Sequence, residues 1–186
     1  MGNMILVTGG AGFVGSHLTR KLLERGYRVR LLDSFVYGDA SLHEVRGNPN
    51  LEIVQGDICD RQDLRRSMKG ARGVIALAAL VGDPACELYP DRTMAVNYQS
   101  THDTVEACRE AGVERIVFAS SCSVYGANGD RFLHEDSPQN PVSLYARTRI
   151  MSEEYLLEQD DIQAVILRLS TVCGVSPRMR FDLMVN

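Results

Sequence analysis

Two hydrophobic periods alternate along this chain, and their alternation sets out the elements. Ile5, Leu6 and Val7 form a short continuous apolar run, the pattern of a strand buried on both faces. From Phe13 the spacing widens to Phe13, Val14, Leu18, Leu22 and Leu23, which is one face of a helix. Arg28–Asp33 alternates and then turns apolar, a second strand; 34–50 is rich in Gly, Asp, Ser and Asn and reads as a loop with room for one short helix. Leu51–Gln55 alternates as a third strand. A short helix follows over 60–69 with Asp60 as its N-cap, then a buried strand over 73–77. The spacing predicts one long helix over 93–111 closed by Gly112, a strand over 114–119 and a loop holding Pro138 and Pro141. A helix over 142–159 and a sixth strand over 164–169 complete the pattern.

Strands alternate with helices throughout, and no two strands are joined by a two-residue hairpin. That predicts a parallel sheet with right-handed crossovers and helices on both faces, a doubly wound α/β architecture of the Rossmann type. With 186 residues the chain reads as one domain, 1–186, without repeats or linkers. In such a sheet a ligand is expected beyond the carboxyl ends of the strands, where their order reverses.

Composition narrows the function. Hydrophobic residues at 45% and charged ones at 24% are ordinary for a soluble globular protein. A net charge of −4 argues against nucleic acid or an anionic membrane as the main partner. Five cysteines (59, 86, 108, 122, 173) form no C-x-x-C pair and have no histidine-rich companions, so neither disulfides nor a metal site is expected. The N-terminus lacks a basic segment followed by a long apolar stretch, and no run of 18 apolar residues occurs. The expectation is a cytoplasmic protein without membrane contact.

The candidate chemistry starts between the first strand and the first helix, where Gly9, Gly10, Gly12 and Gly15 crowd together. A strand, a glycine turn and a helix start make a phosphate site: the backbone approaches closely, and the helix N-terminus supplies N–H donors and a favourable dipole. Asp33 ends the second strand at close to the spacing of roughly 20 residues expected for the acid that binds an adenosine ribose diol. It would repel a 2′-phosphate and no Arg directly follows it, which favours NAD over NADP. Ser34 opens the adenine-side loop, and after Leu77 the small Ala78 and Ala79 would let the backbone pass beside a cofactor. The plainer reading of Asp33 is a strand end, but the whole unit of strand, glycines, helix, strand and Asp outweighs it.

Three further segments would meet at the strand ends: 119–126 with its serines, Tyr145 with Arg149, and Asn97 in the long helix. Tyr145 and Arg149 are four apart and share a helix face. A cation beside a phenol favours the phenolate, which can take or give the proton of a substrate hydroxyl while hydride moves to or from a nicotinamide. A serine hydroxyl at the end of the fifth strand can hydrogen-bond the same oxygen. Each piece alone has a bland reading: a surface i, i+4 pair, turn serines, a satisfied core Asn.

With these residues in place, the sequence resembles the extended short-chain dehydrogenase/reductase family, in particular its NAD-dependent nucleotide-sugar epimerases and dehydratases. Thr8-Gly-Gly-Ala-Gly-Phe-Val-Gly15 is similar to that family's T-G-G-x-G-[FY]-[IV]-G, and Ser120-Ser-Cys-Ser-Val-Tyr-Gly126 to its active-site loop ending in V-Y-G. The resemblance implies cofactor contacts by Gly9, Gly12, Phe13, Val14, Gly15, Asp33 and Ser34. It adds the adenine-side Asp57 and Ile58, the strip Leu77, Ala78 and Ala79, and Asn97, Tyr145 and Arg149. It makes Tyr145 the catalytic base, Ser121 its hydrogen-bonding partner, and Arg149 the occupant of the family's Lys position. Further departures are Ala76 for a frequent His, and Thr171 and Cys173 for the Asn and Tyr of R-x-x-N-V-Y-G. At that Lys position Arg is not a conservative change.

The implied activity is 4-epimerisation of a UDP- or dTDP-linked sugar by transient hydride transfer through a 4-keto sugar. Family 4,6-dehydratases carry an Asp-Glu pair where this chain has Cys122 and Ser123, so dehydration is the lesser alternative, alongside a sugar reductase. The family continues into a C-terminal substrate region largely missing from these residues, with 181–186 reading as the start of a helix. This leaves a second kind of reading, an NAD-binding module without turnover. The helices over 93–111 and 142–159 resemble those that pair subunits in the family, implying a homodimer.

Overall fold

The computed structural model describes residues 4–128 and 132–181. Six strands, β1 (Met4–Thr8), β2 (Arg28–Asp33), β3 (Leu51–Gln55), β4 (Gly73–Ala76), β5 (Arg115–Ser121) and β6 (Gln163–Leu169), pair in the order β3-β2-β1-β4-β5-β6. Every pairing is parallel. The order reverses between β1 and β4, and the register places Thr8 beside both Leu32 and Ala76, so the carboxyl ends of the central strands lie level at that crevice. The doubly wound α/β expectation holds.

Leu6 and Val7 are both fully buried and face opposite ways, which is why β1 reads as a continuous apolar run. Leu6 joins Leu32, Val74, Ile116 and Phe118 beneath α2 (Arg61–Met68), α5 (Ser100–Ala111) and α6 (Leu144–Leu157), while Val7 and Val29 pack with Leu23 of α1 (Phe13–Glu24). The expected caps are present. Asp60 accepts from the N–H groups of Gln62 and Asp63, and Gly112 takes the left-handed conformation at φ 68°. The loop over 34–50 contains one short helical turn, Ala40–Leu42.

The structure departs from the sequence reading mainly around residues 83–100. A short helix absent from that reading, α3 (Asp83–Leu88), precedes α4 (Pro90–Met94), each with a proline in its first turn, where the missing N–H costs nothing. The long helix expected over 93–111 is broken by a wide π turn, Ala95–Gln99, before α5. The helix expected from 142 begins at Leu144 because the Ser143 hydroxyl caps it by accepting from the Ala146 N–H. β5 runs on to Ser121, two residues past its expected end. The helix start expected over 181–186 lies outside the described residues beyond Phe181.

Candidate active site

The glycine turn is built from backbone packed against backbone. Gly9 has φ +72°, and a Cβ there would lie 2.7 Å from the Ala78 nitrogen. A Cβ on Gly15 would lie 2.2 Å from the Gly9 carbonyl oxygen. Ala78 also donates its N–H to Thr8 Oγ1 at 3.4 Å, and Leu77 donates to the Thr8 carbonyl at 3.1 Å, so the strip 77–79 runs alongside the turn. α1 begins at Phe13 with Gly12 as N-cap and no capping side chain or acidic residue in its first turn. The N–H groups of Phe13, Val14 and Gly15 therefore have no intrahelical acceptor, and no carboxylate of that turn competes for them. This cradle fits a pyrophosphate.

Asp33 closes the other side. Its Oδ2 accepts from the Ala11 N–H and its Oδ1 from the Phe35 N–H, both at 2.9 Å. The second bond accompanies a left-handed Phe35 at φ 54°, unusual for a bulky residue. A carboxylate has about four acceptor positions, so capacity for a ribose diol remains. Ser34 is exposed beside it. Asp57 and Ile58 lie beyond β3. Asp57 Oδ1 accepts from the Cys59 N–H at 2.9 Å, and its Oδ2 from Arg92 Nη2 at 2.6 Å. Burial pulls the Asp57 carboxyl up, but the Cys59 N–H and the Arg92 guanidinium together outweigh it and hold the group below its ordinary value. Burial, and then the neighbouring Asp57 carboxylate, push the Cys59 thiol up to about 11 against the opposing pull of Arg92. Arg92 was absent from the sequence reading, since no spacing rule connects it to Asp57.

A second cluster gathers around α6. Asn97 is 1% exposed in the π turn. Both ends of its side-chain amide engage the Leu80 backbone: Oδ1 accepts from the Leu80 N–H at 2.8 Å, and Nδ2 donates to the Leu80 carbonyl at 2.9 Å. Its own carbonyl accepts from Arg149 Nη2 at 2.9 Å and Ser152 Oγ at 2.8 Å. Arg149 is buried, and its Nη1 reaches the Ala119 carbonyl at 3.4 Å. Its Cζ lies 5.4 Å from the Tyr145 ring centroid and 5.1 Å from that of Phe118. Burial pushes the Arg149 guanidinium down from its ordinary value, and Nε has no partner among the described residues. A cavity of about 20 Å³ lies there, lined in part by Thr8, Ala76, Asn97, Phe118 and Arg149.

The positive charge thus lies against the Tyr145 ring, with its hydrogen bonds directed to two backbone carbonyls. Ser121, half-buried at the end of β5, caps a turn of 3-10 helix, Cys122–Tyr125, by accepting from the Ser123 N–H at 3.2 Å. Arg149 ties α6 to β5 two residues before Ser121. Cys122, Thr171 and Cys173 are exposed.

Two further features were missed by the sequence reading. Arg168 of β6 pairs with a buried Glu153 of α6; the signal was present, since Tyr145, Arg149 and Glu153 recur every fourth residue. The segment after β6 also crosses the first turn of α1. There Ser176 Oγ donates to the Phe13 carbonyl at 2.8 Å, His17 Nε2 lies 2.7 Å from the Val175 carbonyl oxygen, and the Arg178 guanidinium stacks 3.9 Å from the Tyr37 ring centroid. Among the described residues no helix is long and apolar enough to cross a membrane, and no group of three His, Cys, Asp or Glu is placed to hold a metal ion.

Residues 5–185 match the family model described as the NAD dependent epimerase/dehydratase family. Sterol-4-alpha-carboxylate 3-dehydrogenase, decarboxylating, of Mus musculus is 34% identical over 158 residues, covering 83% of this chain and 41% of its own length. A putative UDP-glucose 4-epimerase of Methanocaldococcus jannaschii is 36% identical over 176 residues, covering 92% and 56%. Among solved structures, a dTDP-glucose 4,6-dehydratase from Streptomyces venezuelae with NAD bound superposes with a TM-score of 0.83 at 32% identity, covering 89% of this chain and 55% of that one. The chain spans about half the length of the relatives it matches.

Proposed function

This chain belongs to the NAD-dependent epimerase/dehydratase family, and from that premise we propose that it binds NAD and takes part in 4-epimerisation of a UDP- or dTDP-linked sugar. The observation that carries the reading is Tyr145 in the first turn of α6, with the buried Arg149 cation against its ring and Ser121 at the adjoining end of β5. The first-turn N–H groups of α1 would hold the pyrophosphate, and Asp33 the adenosine ribose. Asp57 and Ile58 would flank the adenine, and 77–79 would run along the cofactor. When bound, NAD supplies a reversible hydride acceptor. Tyr145 takes the proton of the sugar 4-hydroxyl and later returns it to the 4-keto sugar, while Ser121 donates a hydrogen bond to the same oxygen. Arg149 supplies positive charge beside that ring.

Epimerisation is favoured over dehydration because neither Cys122 nor Ser123 is an acid of the kind that water elimination requires. We also propose a cytoplasmic homodimer joined through α5 and α6, on which His102 stacks on Tyr155 with centroids 3.6 Å apart; sedimentation as a monomer at high concentration would count against the pairing.

A second reading, an NAD-binding module without turnover, is favoured by the commitment of the Arg149 nitrogens to the Asn97 and Ala119 carbonyls. Calorimetric titration with NAD, followed by an assay of UDP-glucose to UDP-galactose conversion, separates the two. Epimerisation predicts conversion that Tyr145→Phe abolishes. NAD binding with no conversion sustains the module, and failure to bind NAD sinks both.

A further inference from the structure

A buried carboxylate and a half-buried guanidinium sit outside the residues assigned so far. Because Tyr145, Arg149 and Glu153 follow at four-residue intervals, α6 carries a phenol, a guanidinium and a carboxylate along one face. Glu153 is 2% exposed. Arg168 Nη2 donates to its Oε2 at 2.7 Å, and Arg168 Nε lies within 3.2 Å of both carboxylate oxygens. Ser120 of β5 donates its hydroxyl to Oε1, and Gln139 Nε2 reaches Oε2 at 3.4 Å. The remaining Arg168 nitrogen, Nη1, donates to the Tyr125 hydroxyl and to the Glu135 carbonyl, both at 2.8 Å. The guanidinium also lies over the Tyr125 ring, 5.1 Å from its centroid. Hydrogen bonding to Glu153 holds Arg168 above its ordinary range, so the guanidinium stays charged.

An ion pair with a buried carboxylate is a poor source of net stability, because desolvating that charge offsets much of the attraction. What this one supplies is convergence. α6, β5, β6, the Cys122–Tyr125 turn and the segment from Glu135 to Gln139 all end on one carboxylate and one guanidinium. Two of those pieces carry Ser121 and Tyr145. We propose that Glu153 and Arg168 are a positioning pair that sets the Cys122–Tyr125 turn, and with it Ser121, against the first turn of α6 where Tyr145 sits. The inference rests on the proton role proposed above for Tyr145 and Ser121. Neither member touches the reacting atoms. Arg168 acts through Tyr125, and Glu153 through α6 and Ser120.

The test uses the whole 186-residue chain with NAD, UDP-glucose as the probe, and the variants Glu153→Gln, Arg168→Met, Arg168→Lys and Tyr125→Phe. A misplacement of about 1 Å costs roughly a hundredfold in rate, so positioning predicts a fall in kcat of about tenfold to a hundredfold in Glu153→Gln and Arg168→Met, measured well below their Tm. KM for UDP-glucose and Kd for NAD change by less than about threefold. Arg168→Lys recovers Tm but not kcat, since a single ammonium cannot serve Glu153 and Tyr125 together. A kcat that tracks Tm and returns with Lys would reduce the pair to a brace of the fold and overturn the proposal. Should Arg168→Met fail to fold, Tyr125→Phe, which deletes one hydroxyl, is judged on the same kcat and KM split. Absence of conversion by the unaltered chain is a failure of the proposed function instead. The positioning claim is then read from iodoacetamide labelling of Cys122, which is exposed inside the turn. Labelling about fivefold faster in Arg168→Met, or in Tyr125→Phe, sustains the claim, and an unchanged rate defeats it.

Discussion

Replacing Arg149 by Met separates what this buried guanidinium does for stability from what it does for chemistry. The substitution removes a hydrogen bond at 2.9 Å to the Asn97 carbonyl and a long one at 3.4 Å to Ala119. Bonds to a charged donor contribute about 1.5–3 kcal/mol each, so the loss is about 3–4.5 kcal/mol, with the longer bond at the low end. Against this, the Asn97 carbonyl keeps its bond from Ser152, and a cation with no carboxylate in ion-pair reach among the described residues no longer has to be desolvated. Removing the unpartnered Nε returns about 1–3 kcal/mol, and relief of the buried charge returns more. The methionine fills the volume of the arginine stem and adapts to the small cavity beside it. The two sides balance to within about 2 kcal/mol, and for a domain of this size each kcal/mol moves Tm by about 2–4 °C. Thermal melts followed by circular dichroism should therefore differ by no more than about 8 °C. Turnover, where a positioned acid–base group contributes about 100-fold or more, should collapse. A loss of Tm beyond about 12 °C would show that the guanidinium chiefly clamps the π turn to β5, and the charge-balance reasoning would be wrong.

Other perturbations probe other parts of the molecule. Asp33→Ala should weaken NAD binding about tenfold to a hundredfold by calorimetry, through loss of the ribose contact and of the Ala11 N–H tether; unchanged affinity would place the ribose elsewhere. Leu6→Ala, at a fully buried centre of β1, should cost about 2–5 kcal/mol in denaturant unfolding, and a cost under about 1 kcal/mol would contradict its central placement. Asp57 is held below its ordinary value of 3.8, so its stabilising contribution is present above that pH and is lost as pH falls through the lowered value. Plots of Tm against pH should accordingly fall less steeply at the acid end for Asp57→Asn than for the unaltered chain, and parallel curves would refute the assignment.

The sheet was legible because β-strand burial on two faces leaves a continuous apolar signature, as at Ile5 to Val7, and because Asp60, Gly112 and the glycine turn obey local rules. The α3 to α5 region was not. Helical periodicity is the same on either side of a π turn, and the extra residue at Ala95–Gln99 is chosen by Asn97 reaching the Leu80 backbone, a contact between distant segments. The glycine turn, Asp33, Tyr145 and Arg149 could be named in advance. The direction of the Arg149 fork could not, since it depends on which carbonyls the fold leaves open. Arg92 belongs to the same class, because its charge is selected by Asp57 across the fold and not by its neighbours in sequence, whereas Glu153 was signalled by its four-residue spacing from Arg149.

The bond from Ser176 to the Phe13 carbonyl spans 163 positions. It gives the glycine turn a history during synthesis. The first turn of α1 leaves the ribosome 163 residues ahead of Ser176, and its Phe13 carbonyl cannot acquire that partner until residue 176 has emerged. At roughly 5–20 residues per second that is a delay of about 10–30 s. For that interval the nascent chain carries the glycine turn and the start of α1 without the contact that ties them to the segment after β6.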